Sequence, residues 1–334
     1  GVTNVIQNAD NKDILLMPCS SKEQLDGLIE KNLKESFDGL LISPFEPNRK
    51  INFKVIERAD IKSVESDLID HYYPHNENVM FVGVTGTNGK TSVAWLFSEV
   101  AKLKGKDVLY MGTPGVFLSG KVCPEKILTT TPSYLDLRKL SHMYRGKFDA
   151  IVLEVSSHAL AQERLKQIRL KAGAWTNFTQ DHLDFHKTME EYFEAKRKIV
   201  SLVVGNTIII PSHDEILTPR LGSSAVKAKS LDTYTEIVPP VFKSGFTRDN
   251  LEVALCLVEK AFECDLKELN LSEVTLPPGR FQVVEHKKRT FIVDYAHTPD
   301  ALVSLLTHVR EIYPKQEVIT VFGCGGDRDR TKRP

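Results

Sequence analysis

Apolar positions in this chain recur with two spacings. Short apolar runs, "DILLMP", "GLLIS", "VMFVGV", "DAIVLEV", "AGAWT" and "NTIII", read as strands buried on both faces. Other stretches place apolar residues every three or four positions. "KEQLDGLIEKNL" is one, and the segment in which Val93, Leu96, Phe97 and Val100 share a face is another; both read as helices. Strands alternating with helices predict an α/β fold with largely parallel sheets. The pattern falls into three blocks: residues 1–76, residues 77–276 and, beyond the turn-forming "PPG", residues 280–334. The last block should hold "RFQVVE" and "TFIVDY", a helix from about Pro299, and a strand in "EVITVFG". Its sheet would be incompletely covered, so the polypeptide is expected to continue past Pro334 or to be a fragment.

Composition narrows the function classes. Lys+Arg and Asp+Glu both number 44, so no net charge favours a polyanion, and nucleic acid is not an expected partner. No apolar run is long enough to span a bilayer, and the first residues lack a basic, then apolar leader, so a cytoplasmic, membrane-free protein is expected. The five cysteines are scattered and form no CxxC, which reads as reduced thiols rather than a zinc site.

The chemistry concentrates in a few segments. "VMFVGVTGTNGKTS" sets a strand, a Gly-rich turn and a helix start in order, an arrangement that suits a triphosphate. Gly86, Thr87, Asn88 and Gly89 would bring backbone N–H groups to the phosphates. Lys90 would reach the β/γ-phosphates, Thr91 would ligate Mg²⁺, and Ser92 would follow on the helix. Position 84 is valine, so the loop is a variant of the usual pattern. Glu154 ends a buried strand, where ligands of open α/β sheets gather, and is placed to hold Mg²⁺. "LTTTPSYLDL" reads either as a helix cap or as a polar clamp on an anionic substrate. "DHLDFHKTMEEYFEAK" has the look of a metal site, but its Lys196 would repel a cation. Taken alone, Lys196 is a helix-surface lysine and Glu190, Glu191 and Glu194 a solvated face.

"GVTGTNGKTS", "TTTP", "EVSSHALAQERL", "TNFTQDHLDFHKTMEEYFEAKR" and "PGRFQVVE…FIVDYAHTPDAL…VFGCGGDRDRTKRP" occur in this order, and together they resemble the Mur ligase family over residues 73–334. The likeness is greatest to the family's diamino-acid-adding type. It implies three domains: a nucleotide-sugar-binding N-terminal domain, a central P-loop ATPase-like domain, and a Rossmann-like C-terminal domain, here incomplete. It implies an ATP-dependent amide ligase joining a diamino acid (meso-diaminopimelate favoured, L-lysine possible) to UDP-N-acetylmuramoyl-L-alanyl-D-glutamate in peptidoglycan precursor synthesis, as a monomer. The rival readings are another ligase of the superfamily, such as folylpolyglutamate synthase, and a non-catalytic nucleotide-binding remnant.

The resemblance also assigns residues. Two Mg²⁺ ions would be held by Thr91, Glu154, His182 and Lys196, with Lys196 converted by CO₂ to a carbamate, which turns a cation into an oxygen ligand. With Lys90, the residues Glu154, His182 and Lys196 form the catalytic set. Thr130, Thr131, Ser156, Gln162 and Arg164 would hold the dipeptide substrate; Asn250, Arg280, Asp294, Arg328 and Arg330 would contact the nucleotide. The first 72 residues match the family's uridine-binding domain poorly, and no uridine contact is assigned. The Asp-Asn-Pro-Arg segment that selects the diamino acid is absent.

Overall fold

A computed structural model describes residues 2–4, 9–33, 36–48, 50–165, 167–287 and 289–323. The first unit is a parallel sheet of β1 (Val2–Thr3), β2 (Ile14–Leu16), β3 (Leu40–Ser43) and β4 (Lys54–Glu57), in that order, with α1 (Lys22–Asn32) and α2 (Ile61–Tyr72) beside it. Ser21 starts α1 by accepting from the Gln24 amide, which satisfies one of the helix's free N–H groups.

The central sheet has eight strands: β5 (Met80–Thr85), β6 (Val108–Gly112), β7 (Gly115–Leu118), β8 (Lys121–Val122), β9 (Ala150–Glu154), β10 (Leu170–Trp175), β11 (Ile208–Ile210) and β12 (Ala225–Lys227). Their order is β12-β11-β10-β5-β9-β6-β7-β8, parallel except for the β6–β7–β8 meander at one edge. Alternate residues of each strand enter different cores. Val82, Val84, Val152, Ala172 and Ala174 meet α3 (Lys90–Leu103) and α9 (Gly245–Phe262). Phe81, Ile151, Leu153 and Trp175 meet α4 (Tyr134–Met143), α5 (Ser157–Ala161) and α7 (Met189–Leu202) on the other face. Burial on both faces is why these strands read as unbroken apolar runs. Short helices α6 (Leu183–His186) and α8 (Leu217–Leu221) lie in the connections.

Leu135 of α4 is buried in a core with Val2, Leu16, Ile42, Ile69 and Tyr73, which seats the first unit on the second. Arg138 strengthens the seat: its Nε donates to the Tyr73 carbonyl at 3.0 Å and its Nη1 to the Tyr134 hydroxyl at 2.6 Å. The third unit is an antiparallel pair, β13 (Gln282–His286) and β14 (Arg289–Val293), followed by α10 (Pro299–Ile312). It rests on α9 through Phe246, Phe281 and the buried His308, which approaches the Thr247 hydroxyl at 2.9 Å.

The strand expected in "EVITVFG" is not formed. Residues 317–323 pair with no strand, and Val321 is 93% exposed. A strand needs a neighbour for its backbone groups, and none among the described residues adjoins this segment. No helix among the described residues is long and apolar enough to cross a membrane. The four described cysteines are unpaired; Cys324 lies outside the described residues.

Candidate functional site

The loop after β5 is held from below. Gly86 has φ +145°, and a Cβ there would lie 1.9 Å from the Thr176 hydroxyl, so only glycine fits. The segment after β10 pins the loop: Asn88 N donates to Asn177 Oδ1 at 2.9 Å, Thr87 N to the Asn177 carbonyl at 3.1 Å, and the Thr87 hydroxyl to the Thr179 carbonyl at 3.0 Å. Lys90 folds back, donating to the carbonyls of Gly86 (2.9 Å) and Thr87 (2.8 Å). Burial depresses its pKa, opposed by the charges of Glu154 and Asp181. Thr85 Oγ1, Asn88 Nδ2 and Thr179 Oγ1, on and around the loop, are buried without a hydrogen-bond partner. Buried polar groups are nearly always satisfied, so these orphans fit a site that takes a polar ligand.

Beside the loop, Glu154 is fully buried at the end of β9. Its Oε2 accepts the hydroxyls of Thr91 (3.0 Å) and Thr113 (3.1 Å), while its Oε1 accepts the Thr113 amide (2.9 Å) and the Tyr110 hydroxyl. Arg280 reaches in from the third unit and donates to the Thr91 hydroxyl at 3.3 Å. A hydroxyl beside a carboxylate is a hard oxygen donor pair suited to Mg²⁺.

Lys196 is not on the helix surface. It is 1% exposed, its Nζ donates to the Gly86 carbonyl at 2.7 Å, and it lies 4.7 Å above the Tyr192 ring. Burial, helped by Lys90, depresses its pKa strongly. Glu190, Glu191 and Glu194 face solvent. His182 adopts a left-handed backbone (φ 53°) and turns Nε2 toward Asp181 Oδ2 at 3.4 Å; burial lowers its pKa to about 4, leaving a neutral imidazole. The ring of His158 lies edge-on to His182 at 4.8 Å. Among the described residues no group of three His, Cys, Asp or Glu side chains is assembled for a metal.

His186, also buried, shares a hydrogen bond with the Ser157 hydroxyl at 2.9 Å, and burial lowers its pKa from 6.5 to about 4. The unfolded chain takes up this proton near pH 6.5 and the folded chain only near pH 4, so stability is full above 6.5 and is lost as pH falls toward 4. The thermal midpoint should drop across that window, and His186→Gln, which cannot titrate, should lessen the dependence, leaving the share of His182, whose pKa is lowered alike. An unchanged slope would remove His186 as its source.

The five residues expected at the dipeptide form one network. The Thr131 hydroxyl donates to the Glu154 carbonyl (2.8 Å) and accepts the Ser156 amide (2.9 Å). Arg164 Nη1 donates to the Thr129 hydroxyl (3.0 Å) and the Thr131 carbonyl (3.2 Å), and its Nε donates to Gln162 Oε1 (2.9 Å). Thr130 faces the Thr113 hydroxyl at 3.2 Å. Thr131 is buried and its hydroxyl is used within the protein, so it ties this loop to β9, while Thr130, Gln162 and Arg164 lie nearer solvent. The cap of α4 is Ser133, not one of the threonines.

Asn88, Gly89, Ser92, Asn250, Arg280 and Asp294 line one cleft between the central and third units. Asp294 accepts the amides of Phe281 (2.8 Å) and Ala296 (2.7 Å), and Arg280 stacks over Tyr295 at 4.7 Å. Arg328 and Arg330 lie outside the described residues. Four contributors escaped the sequence reading: Tyr110, Thr113, Asn177 and Tyr192. Tyr192 was legible, because it stands four positions before Lys196 and so shares its helix face.

Comparison with known proteins points the same way. Residues 84–259 match the Mur ligase middle domain and residues 279–334 the Mur ligase glutamate ligase domain. A UDP-N-acetylmuramoyl-L-alanyl-D-glutamate--2,6-diaminopimelate ligase of Clostridium botulinum is 33% identical over 313 residues, 84% of this chain and 64% of the relative. The chain thus spans somewhat under two thirds of that relative's length. A solved ligase of the same name superposes over 100% of this chain and 74% of its own, with a TM-score of 0.61 at 25% identity. The likeness in fold therefore extends through the first 72 residues, whose sequence resembles the family's first domain poorly. A MurF ligase from Thermotoga maritima, solved in complex with ADP, has the same fold, with a TM-score of 0.63 over 92% of this chain and 74% of its own, at 17% identity. With both family domains matched in order, and the loop, Glu154 and Lys196 gathered at the carboxyl end of the central sheet, the chain belongs to the Mur ligase family.

Proposed function

We propose that this chain carries the nucleotide and dipeptide sites of an ATP-dependent ligase that adds meso-diaminopimelate to UDP-N-acetylmuramoyl-L-alanyl-D-glutamate, acting as a monomer in the cytoplasm. The observation that carries this reading is the convergence of Lys90 and Lys196 on one loop carbonyl, that of Gly86, beside the Thr91–Glu154 pair. The D-glutamyl carboxylate attacks the γ-phosphorus of ATP, giving an acyl phosphate and ADP. The amine of the diamino acid then attacks the acyl carbon, loses a proton, and expels phosphate.

Each residue has a part in this scheme. Lys90 exchanges its loop carbonyls for the phosphates and offsets their charge. Thr91 and Glu154 would hold one Mg²⁺; His182 and the Lys196 carbamate would hold the second. Bound there, Mg²⁺ neutralises charge on the transferring phosphoryl group. Asn250, Arg280 and Asp294 orient the nucleotide, and Thr130, Gln162 and Arg164 the dipeptide. Closure of the third unit, begun by the Arg280–Thr91 contact, would exclude water from the acyl phosphate.

The test supplies ATP, UDP-N-acetylmuramoyl-L-alanyl-D-glutamate and meso-diaminopimelate to a polypeptide that carries this chain together with the diamino-acid-selecting segment, and measures phosphate release. Release should require all three. Release that proceeds with L-lysine but not diaminopimelate would correct the amino acid, and release with a folate and glutamate instead would overturn the reading.

A further inference from the structure

We propose that Tyr110 is a positioning residue for the Glu154 carboxylate: it fixes Oε1 so that Oε2 is the oxygen presented to the divalent cation. The inference rests on the reading of Thr91 and Glu154 as ligands of that cation. Tyr110 stands in β6, the strand next to β9, which ends in Glu154. It is 1% exposed, and its ring is wedged edge-to-face between Trp95 of α3 (centroids 6.0 Å apart) and Phe117 of β7 (5.9 Å). Trp95 and Phe117 in turn meet edge-to-face at 5.2 Å. Three rings interlocked in this way, in a close-packed interior, leave the phenol little freedom.

The two oxygens of Glu154 are therefore held differently. Oε1 accepts the backbone amide of Thr113, just past the end of β6, and the hydroxyl of the wedged Tyr110. Neither donor can move without disturbing the meander or the aromatic cluster. Among the described residues, Oε2 accepts only the hydroxyls of Thr91 and Thr113, which turn about a single bond. The backbone also closes the Oε1 side: a Cβ on Gly112 would lie 2.2 Å from Oε1 and 2.5 Å from the Tyr110 oxygen. A cation can displace a rotatable hydroxyl, or be ligated by it, on the Oε2 side only. Ligand carboxylates depend on such outer hydrogen bonds for their orientation.

Tyr110→Phe keeps the wedged ring and removes the donor, leaving Oε1 with the Thr113 amide alone and the carboxylate free to turn. Mn²⁺ titrations followed by electron paramagnetic resonance, with saturating ADP, would compare the wild-type chain, Tyr110→Phe, Tyr110→Met as a second variant without the hydroxyl, and Glu154→Gln. Mn²⁺ affinity should fall about 10-fold in both Tyr110 variants, with the thermal midpoint of Tyr110→Phe, which keeps the ring, close to wild type. A merely structural role would move the midpoint and leave the affinity alone. Unchanged or tighter Mn²⁺ binding in the Tyr110 variants, with binding lost in Glu154→Gln, overturns the role of Tyr110 by itself. Equal binding by wild type and Glu154→Gln, or none by wild type, overturns the metal reading and this inference with it.

Discussion

Lys196→Ala abolishes ligase turnover, and short carboxylic acids such as acetate restore part of it. This is the expected result if Lys196 works as a carbamate. The side chain is buried, and its direct hydrogen-bond contact is a carbonyl, that of Gly86. Burying an ammonium ion is costly, and Lys90 adds repulsion, so the amine is driven toward its neutral form. A neutral amine is the form that attacks CO₂: an N–C bond forms, a proton leaves, and an anionic oxygen pair remains. The local charge changes from positive to negative, as a site for hard cations requires. Losing such a charge-stabilising group should lower turnover by at least about 10²–10³-fold. A free carboxylate can occupy the emptied space and supply the oxygens, though without the tether. Labelled bicarbonate should give a carbamate ¹³C resonance in the wild type that is missing in Lys196→Ala. Undiminished activity of Lys196→Ala without additives would end the idea.

Much of the fold was legible because both faces of the central sheet are covered. That makes β5, β9, β10 and β11 plain apolar runs, and the phosphate loop announces itself by glycine spacing. Where the sequence misled, the missing information was a neighbour. "EVITVFG" has the composition of a strand, yet residues 317–323 lie unpaired. The converse holds for β6, whose "VLYMG" is short and ends in glycine; it forms because β9 lies alongside it in register, Tyr110 opposite Val152. Missing that strand meant missing Tyr110 and Thr113, two of the groups that hold Glu154. Lys196 shows the same limit on a helix. Its acidic neighbours suggest a wet surface, but Tyr192 and Ile199 mark the buried face on which it stands. The chemistry of a lysine there could be named only through the family likeness; its burial and its contact with Gly86 are what give that chemistry a physical basis.

Lys90→Ala should lose nucleotide turnover while keeping the fold, and it should also weaken the modification of Lys196. The first effect follows from the loop. Among the described residues, Lys90 donates only to the carbonyls of Gly86 and Thr87 within its own turn, and Gly86 retains Lys196 as a donor when Lys90 is gone. Asn177 and Thr179 still pin the loop from below, so the thermal midpoint should change little. What disappears is the cation that would meet the β/γ-phosphates, a loss of about 10²–10³-fold in turnover. The second effect follows from charge. Lys90 is the largest charged contributor to the depressed pKa of Lys196. Without it, Lys196 holds its proton more firmly and offers less neutral amine to CO₂. The carbamate anion, once formed, also loses the attraction of a neighbouring ammonium. Both changes act in one direction, so at a fixed bicarbonate concentration the carbamate ¹³C signal should fall in Lys90→Ala and recover as pH is raised. Wild-type kinetics in Lys90→Ala would count against the phosphate loop. A full carbamate signal alongside lost turnover would separate the two lysines and confine Lys90 to the phosphates.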